Sequence, residues 1–178
     1  KAKDSPLKPS DLSRFDNMHY EGLDAVNIAI EKCGLRQNKD TTLNVLDCGS
    51  GLGGPARHIA STTTCLVVAL ELQRDCSDAA EGYTRRCDLY GEGPSHIEHI
   101  CGNILSPDTL LTITKNNILK YDSILSWLVY LHISDKDSLF KNCYEIMNTN
   151  GMLYIEDFYN KYDTTGGTQE HADPPHTS

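Results

Sequence analysis

The sequence predicts an α/β domain built on a parallel β-sheet, and three observations support that prediction. First, the apolar segment 43–47 runs directly into a glycine-rich turn, behind which a helical pattern begins. Second, another apolar segment, residues 65–70, ends in Glu71, about 20 residues after the glycines. Third, strand-like and helical segments alternate from there on. Such alternation is typical of βαβ units, whose ligands bind at the carboxyl ends of the strands.

The predicted elements follow one another within a single domain, residues 15–159. Residues 1–14 carry few apolar positions and are expected to form a flexible arm. The amphipathic stretch 15–33 predicts a lid-like helix ahead of the sheet, with Gly34 as its C-terminal stop. Residues 160–178 are polar and are expected to form a disordered tail. We predict strands at 43–47, 65–71, 97–101, 121–126 and 151–158, and helices at 55–61, 75–90, 107–118 and 135–148.

Composition narrows the class of protein. With 178 residues, 39% of them hydrophobic and 23% charged, the chain is long enough for one buried core. The net charge of -9, without a cluster of Lys or Arg, argues against a nucleic-acid partner. Seven cysteines without a C-x-x-C pair indicate free thiols in a reducing compartment. No apolar run approaches 18 residues, so no membrane contact is expected. We predict a cytoplasmic protein. Location in an organelle, after removal of a targeting segment, is the alternative that stays open.

The glycine-rich turn has the spacing of a nucleotide-type cofactor loop. Gly49 would allow a tight turn, Gly51 a close approach of the backbone to a ligand, and Gly54 the packing of the next helix against the strand. Asp47, two positions before the first glycine, would repel the pyrophosphate of NAD or FAD, which disfavours an NAD-dependent oxidoreductase. A cationic ligand such as S-adenosylmethionine, with its sulfonium and α-ammonium groups, suits this acid. Glu71 at the end of the second strand can accept both ribose hydroxyls.

Residues 47–53, DCGSGLG, resemble motif I of the class I S-adenosylmethionine-dependent methyltransferases, and residues 68–72, VALEL, resemble their second motif. The similarity extends to the family's third, fourth and fifth strands, at 101–104, 122–126 and 150–158. It implies a Rossmann-like sheet, S-adenosylmethionine as the cofactor, and an adenine contact at Asn103, where the family most often places an Asp. Together, the motifs and the resemblance assign these residues to the cofactor: Asp47, Gly49, Gly51, Gly53, Glu71, Leu72, Asn103, Ile104 and Ser126.

Two further segments resemble the small-molecule branch of that family, which methylates sarcosine, dimethylglycine or phosphoethanolamine. They are residues 19–22, HYEG, and residues 131–133, LHI. The resemblance implies methyl transfer to a small amine-type metabolite of the sarcosine or dimethylglycine kind. Leu128 stands where the phosphoethanolamine enzymes carry an acid, which disfavours that acceptor. The alternative is a catalytically inactive methyltransferase-like subunit with a structural role in a larger assembly.

Two residues are candidates for catalysis. His132 lies near the carboxyl end of the fourth strand, where the methyl acceptor should bind, and could serve as the base. A histidine packed on a helix face is the alternative interpretation. Tyr20, beside His19 at the start of the lid helix, could close over the sulfonium with a cation–π contact. An aromatic ring that only holds the helix to the core would have the same sequence pattern.

The last stretch of the sequence departs from the family pattern. The methyltransferase core normally closes with a helix and an antiparallel strand pair beside strand five, and residues 160–178 contain no strand-like run. His171 and His176 are interpreted as polar tail residues, so no metal site is predicted. Strand 151–158 would then lie at an edge of the sheet, where exposed ladder groups recruit other chains. We therefore expect a protein partner or self-association at this edge.

Overall fold

A computed structural model of the protein describes residues 6–36, 41–91, 93–115 and 119–158. The tail predicted at 160–178 lies outside these residues. Within them the chain forms the helices α1 (Pro9–Asp16), α2 (Gly22–Lys32), α3 (Gly54–Thr62), α4 (Arg74–Arg86), α5 (Pro107–Ile113) and α6 (Lys136–Ile146). The strands are β1 (Leu43–Cys48), β2 (Cys65–Glu71), β3 (His96–Cys101), β4 (Tyr121–Trp127) and β5 (Met147–Glu156).

The five strands form one parallel sheet in the order β3-β2-β1-β4-β5. The chain runs outward from the central strand β1 to β2 and β3, then crosses to β4 on the other side of β1. This reversal creates a crevice between the carboxyl ends of β1 and β4, which is where open α/β sheets bind their ligands. The topology confirms the predicted α/β fold with a Rossmann-like parallel sheet.

The sheet is buried on both faces, which explains why β1, β2 and β4 read as continuous apolar runs. Successive residues of a strand point to opposite faces. Val45 accordingly packs with Ile30 of α2 and Ile59 of α3, whereas Leu46 belongs to a second cluster with Leu139 of α6. The predicted positions of β1 to β4 are confirmed to within one residue at each end.

The N-terminal region differs from its prediction. The sequence predicts a loose arm over residues 1–14 and one helix over 15–33, but two helices form, α1 and α2. Helix α1 is stabilised at its start, because Asp11 accepts a hydrogen bond from the Lys8 backbone N–H at 3.0 Å and Pro9 occupies the first turn. The chain breaks before α2 because Glu21 and Gly22 both have positive φ. The predicted stop at Gly34 is confirmed, with φ at 66°.

Helices α4 and α6 stop short of their predicted ends at 90 and 148. Asp88 adopts a left-handed conformation, with φ at 54°, and terminates the turn after α4. Met147 already pairs with Tyr121 in the sheet, so β5 begins directly after α6 instead of at residue 151. Helix α5, Pro107–Ile113, covers the first part of the helix predicted at 107–118. None of the helices in the described ranges combines the length and apolar character that crossing a bilayer requires.

Strand β5 lies at one edge of the sheet. In the described part of the chain it pairs with β4 alone, and the ladder ends where Trp127 lies beside Glu156. This ladder brings the carboxyl end of β5 next to the crevice. The protein partner expected at this edge stays a prediction.

Candidate functional site

A cavity of about 580 Å³ opens at the carboxyl ends of β1, β2, β3 and β4, at the crevice where the strand order reverses. This volume lies in the range of small-molecule and cofactor sites. Six of the predicted cofactor residues line it: Gly49, Gly51, Glu71, Leu72, Asn103 and Ile104. The structure therefore brings together, from three separate strand ends, residues that are up to 55 positions apart in the sequence.

The first two glycines of the turn lie under side chains from other parts of the molecule. Gly49 has φ at 84°, and a Cβ on it would lie 2.3 Å from Cγ2 of Val129, in the loop after β4. Gly51 has φ at 52°, and a Cβ there would lie 3.1 Å from the sulfur of Met18. The positive φ favours glycine at both positions, and at Gly49 the close approach of Val129 also leaves no room for a side chain. The turn thus forms the floor of a pocket that is roofed from two sides.

The other two glycines lie against groups outside the pocket, and Gly54 alone lies against the N-terminal helix. A Cβ on Gly53 would lie 2.9 Å from the Arg57 guanidinium, and Gly53 does not line the cavity. A Cβ on Gly54 would lie 2.6 Å from the backbone oxygen of Asp16. The third glycine of the spacing was predicted to pack the helix against the strand, but the space it leaves is used by the end of α1. Its role is to let α1 approach the cofactor loop.

Glu71 is fixed at the wall of the pocket by two backbone groups. Its Oε2 accepts a hydrogen bond from the N–H of Gly51 at 2.8 Å, and its Oε1 accepts one from the N–H of Gln73 at 2.8 Å. Each carboxylate oxygen has a further lone pair for a ligand. Leu72 follows with 66% of its surface exposed and adds an apolar wall. This geometry suits an acid that receives two hydroxyl groups.

Asp47, in β1 just before the turn, is almost completely buried at 1% exposure, and it is not among the residues that line the cavity. Burial, assisted by the neighbouring charge of Glu71, raises the pKa of Asp47 to about 7, although the Ala56 backbone N–H and Arg57 act in the opposite direction. Its Oδ2 has no hydrogen-bond partner among the described residues. A buried polar oxygen without a partner is costly. A ligand that brings a cation or a hydrogen-bond donor to this oxygen would relieve that cost.

The remaining predicted cofactor residues divide between the pocket and the core. Asn103 lines the pocket, and its Oδ1 accepts a hydrogen bond from the Leu105 N–H at 2.9 Å, which fixes the amide at the end of β3. Ile104 is buried beside it and also lines the pocket. Ser126 does not reach the cavity, because it is fully buried and donates its hydroxyl hydrogen to the Cys48 carbonyl at 3.0 Å. Its position ties β4 to β1.

The loop after β4 carries His132 to the pocket. Leu128 has φ at 58°, an uncommon conformation for a non-glycine residue, and its N–H donates to the Glu156 carbonyl at 2.8 Å. This turn places Val129 over Gly49 and leads into a short 3₁₀ helix, Tyr130–His132. His132 lines the cavity and is exposed to solvent. That exposure gives no support to the alternative of a histidine packed on a helix face, and the catalytic role of His132 stays a prediction.

The segment between α1 and α2 covers the pocket, but it does not do so through Tyr20. Met18 lines the cavity, whereas Tyr20 is 63% exposed and lies edge-on to Phe158, with ring centroids 5.6 Å apart. The placement of Tyr20 therefore gives no support to the predicted contact with the sulfonium. Its neighbour His19 turns inward instead and stacks on Trp127, with ring centroids 5.5 Å apart. Trp127 lines the pocket.

Sequence reasoning missed a buried ion pair below the pocket. Arg57 of α3 is fully buried and pairs with Asp16 of α1 at 2.7 Å, while the same guanidinium nitrogen donates to the Leu52 carbonyl of the glycine turn. Its other terminal nitrogen donates to Ala80 and Thr84 of α4. The sequence signal that could have indicated this ion pair is an arginine among the apolar residues of the segment that forms α3. In the described residues no cluster of His, Cys, Asp and Glu side chains could hold a metal ion.

Comparison with known proteins agrees with this geometry. The family model of the methyltransferase domain matches residues 17–177. Over 108 residues the chain is 33% identical to a tRNA1(Val) (adenine(37)-N6)-methyltransferase of Bacteroides fragilis, a match covering 54% of this chain and 41% of that protein. The curated relative is thus matched over less than half of its length.

Solved structures show the same fold. A putative sarcosine dimethylglycine methyltransferase from Galdieria sulphuraria superposes with a TM-score of 0.59 at 22% identity, covering 75% of this chain and 45% of that one. Coclaurine N-methyltransferase, bound to N-methylheliamine and SAH, superposes with a TM-score of 0.60 at 23% identity, covering 76% of this chain and 34% of that one. Together with the family match over most of its length, the fold and the site give one conclusion: the chain belongs to the methyltransferase domain family, whose methyl donor is S-adenosylmethionine.

Proposed function

We propose that this domain binds S-adenosylmethionine at the crevice between β1 and β4 and transfers its methyl group to the nitrogen of a small amine of the sarcosine or dimethylglycine kind. The observation that carries the proposal is the pair of acids at the glycine turn. Asp47 has a buried oxygen without a hydrogen-bond partner in the described part of the chain, and Glu71 has a carboxylate fixed by two backbone N–H groups. A cationic nucleoside satisfies both acids, whereas a dinucleotide brings its phosphates to them.

The residues around the pocket fit the cofactor. We assign Asp47 to the ammonium group and Glu71 to the ribose hydroxyls. Leu72 and Ile104 provide apolar walls for the adenine ring, and Asn103 offers it an amide. Gly49 and Gly51 keep the floor low enough for the ligand to contact the backbone.

When bound, S-adenosylmethionine supplies an electrophilic methyl group on a sulfonium. The chain then has to align the acceptor with that group and keep the acceptor lone pair free of its proton. We assign the second task to His132, because it lines the pocket and remains in contact with solvent, to which a proton can be released. Trp127 and Val129 line the same pocket and add apolar surface beside His132.

The charge of the site supports an amine as the acceptor. No Lys or Arg lies among the described residues that line the cavity, and Glu71 contributes a negative charge there. A phosphorylated acceptor would find no cationic partner, which agrees with Leu128 in the place of the acid of the phosphoethanolamine enzymes. The Galdieria protein with the same fold is described as a putative sarcosine dimethylglycine methyltransferase.

Two other functions are kept as alternatives. The Bacteroides relative is a tRNA methyltransferase, which favours an adenine in RNA as the acceptor. The net charge of -9 disfavours it, since RNA-binding surfaces are generally basic. A catalytically inactive subunit of a larger assembly is the second alternative, and Leu128 is the residue that favours it.

A methyl-transfer assay separates these functions. The purified chain would be incubated with S-adenosylmethionine carrying a labelled methyl group and, separately, with sarcosine, dimethylglycine, phosphoethanolamine or unmodified tRNA. We expect label in at least one of the two methylated glycines and loss of that activity in Glu71→Ala, with Glu145→Ala on the exposed face of α6 as the matched control. Label in tRNA alone would favour the RNA function. Cofactor binding without any methylated product would favour the inactive subunit.

A further inference from the structure

Two stacked rings, of which Trp127 lines the pocket and His19 lies behind the lining residues, each carry a buried nitrogen without a hydrogen-bond partner among the described residues. Trp127, the last residue of β4, is 6% exposed and lines the cavity. The His19 ring lies on it with an interplanar angle of 23°. Nε1 of Trp127 and Nε2 of His19 are both buried, and neither has a partner among the described residues. Most buried polar atoms in proteins are satisfied, so two unsatisfied ones on neighbouring rings point to a ligand.

The hydrogen-bonding role of His19 follows from its other nitrogen. Nδ1 lies 2.9 Å from the backbone oxygen of Tyr20. A carbonyl oxygen only accepts, so Nδ1 carries the proton. In the neutral ring Nε2 is then a bare lone pair, which requires a donor from the ligand. The Tyr20 carbonyl thus fixes the tautomer of His19.

Trp127 is a hydrogen-bond donor, whereas Nε2 of His19 is an acceptor. The indole Nε1–H can only donate, so the ligand has to offer an oxygen or another acceptor. Behind Trp127 lies Tyr154, at 6.0 Å between ring centroids, and its hydroxyl donates to Glu156 at 3.2 Å. Because this hydroxyl is engaged with Glu156, Tyr154 supports the indole without competing for the ligand.

We propose that His19 and Trp127 form the acceptor subsite, in which His19 Nε2 accepts a hydrogen bond from an N–H of the amine and Trp127 Nε1 donates one to an oxygen on the same molecule. The inference rests on the proposed function and narrows its substrate class. The acceptor is a primary or secondary amine that carries a carboxylate or carbonyl a few bonds from the nitrogen. A neutral tertiary amine such as dimethylglycine, which has no N–H, is then a poor acceptor, so the inference favours sarcosine over dimethylglycine within the proposed substrate class.

This arrangement gives His19 a positioning task. An N–H held by His19 orients the remaining lone pair of the nitrogen, and misalignment of a nucleophile by small distances costs much of the rate. Both nitrogens are shielded from solvent while the segment with Met18 and His19 covers the pocket. Entry of the acceptor therefore requires this segment to part from Trp127.

Three probes test the two contacts separately. Sarcosine has an N–H and a carboxylate, glycine betaine has the carboxylate without an N–H, and N-methylethylamine has the N–H without an oxygen. Each would be titrated into protein saturated with S-adenosylhomocysteine. Trp127 is the single tryptophan of the chain, so its fluorescence reports the subsite directly. We expect sarcosine to bind at least about tenfold more tightly than either of the other probes, as one hydrogen bond contributes on this order.

Ring-preserving variants then assign each contact, with calorimetry as the measurement because Trp127→Phe removes the fluorophore. His19→Phe should abolish the preference for sarcosine over glycine betaine. Trp127→Phe should abolish the preference for sarcosine over N-methylethylamine. Tyr144→Phe, on an exposed residue of α6, is the control with unchanged preferences. S-adenosylhomocysteine affinity should stay within about twofold in all three.

Three outcomes would overturn the inference. Equal binding of all probes would show that the subsite does not discriminate. Preferences unchanged in both variants would place the contacts elsewhere. Loss of S-adenosylhomocysteine affinity in His19→Phe or Trp127→Phe would assign these nitrogens to the cofactor. If the wild-type protein does not bind S-adenosylhomocysteine at all, the proposed function is wrong, and the inference that rests on it is wrong as well.

Discussion

Asp47 combines burial, a neighbouring acid and an unpartnered oxygen, so its charge state should govern cofactor binding. Its pKa of about 7 leaves it largely protonated in mildly acidic solution. The ammonium group of the cofactor favours the ionised form, so binding releases a proton whenever the pH is below the pKa. We predict that affinity for S-adenosylhomocysteine rises from about pH 6 to about pH 8, by up to about tenfold per pH unit at the lower end. Calorimetry across this range measures the slope directly.

The neutral variant Asp47→Asn provides the control, since it should bind S-adenosylhomocysteine more weakly and with a flat pH profile.

The effect of pH on folding stability has the opposite sign to its effect on cofactor affinity. Because the pKa of Asp47 is raised in the folded state, its contribution to stability is present below about pH 4 and is lost as the pH rises through about 7. Urea unfolding at about pH 5 and about pH 8 should show this loss in the wild-type protein and not in the variant. If cofactor affinity changed with pH equally in the wild-type protein and in Asp47→Asn, Asp47 would not be the group that titrates on binding.

His132 is the candidate base of the methyl-transfer step. If it takes the proton of the acceptor, His132→Ala should lower turnover by about 10²-fold or more, with little change in S-adenosylhomocysteine affinity. Steady-state kinetics combined with calorimetry separates the two quantities. Because His132 is exposed on a short 3₁₀ turn, the substitution should leave stability nearly unchanged. Unchanged turnover would show that another group or solvent takes the proton.

At the level of residues, the sequence could predict the positions of those that lie at strand ends. Asp47 and Glu71 could be predicted because a strand, a turn and the next strand fix their relation. The choice between His19 and Tyr20 could not, since it depends on which side chain the backbone turns inward. That direction follows from the break before α2, where Glu21 has φ at 60°, and a non-glycine residue gives no sequence signal for this conformation.

Helix α1 is held against the cofactor loop by one buried ion pair. Asp16 is 3% exposed and Arg57 fully buried, so removing one charge leaves the other without a partner. We predict that Asp16→Asn lowers the free energy of unfolding by roughly 3 kcal/mol, near the lower bound for broken buried pairs because the amide keeps one hydrogen bond. Urea denaturation measures the change, with Asp78→Asn on the exposed face of α4 as the control.

The same variant reports on coupling to the pocket. Amides of residues 10–18 should exchange faster in Asp16→Asn, and S-adenosylhomocysteine should bind more weakly because Met18 no longer roofs Gly51. A loss of stability equal to that of Asp78→Asn would mean that the ion pair contributes nothing to docking α1.

At the level of elements, the strands could be predicted far better than the helices. Buried parallel strands such as β2 are marked by a continuous apolar run that ends in a polar residue. Helix α1 has no such signal, because its docking depends on one pair between Asp16 and Arg57, 41 residues apart. The early start of β5 was missed for a similar reason, since pairing of Met147 with Tyr121 is a tertiary contact.

For the molecule as a whole, the edge strand β5 carries the expectation of association. Met152 on this strand is 47% exposed, and in the described residues one side of β5 has no neighbouring strand. We predict that the 178-residue chain self-associates through this edge with a second copy, because unpaired ladder groups beside an apolar surface recruit another strand. Sedimentation over a range of concentrations should show a rising average mass, and Met152→Lys should reduce it. A monomer at all concentrations, with slow amide exchange in β5, would contradict this prediction.

The central claim is that the two acids at the glycine turn select S-adenosylmethionine. Calorimetric titration of the purified chain with S-adenosylhomocysteine and, separately, with NAD tests it most directly. We expect S-adenosylhomocysteine to bind and NAD not to bind. Glu71→Ala should weaken S-adenosylhomocysteine binding by at least about 1.5 kcal/mol, roughly tenfold, through loss of charged hydrogen bonds to the ribose. Tighter binding of NAD than of S-adenosylhomocysteine, or full affinity in Glu71→Ala, would contradict it.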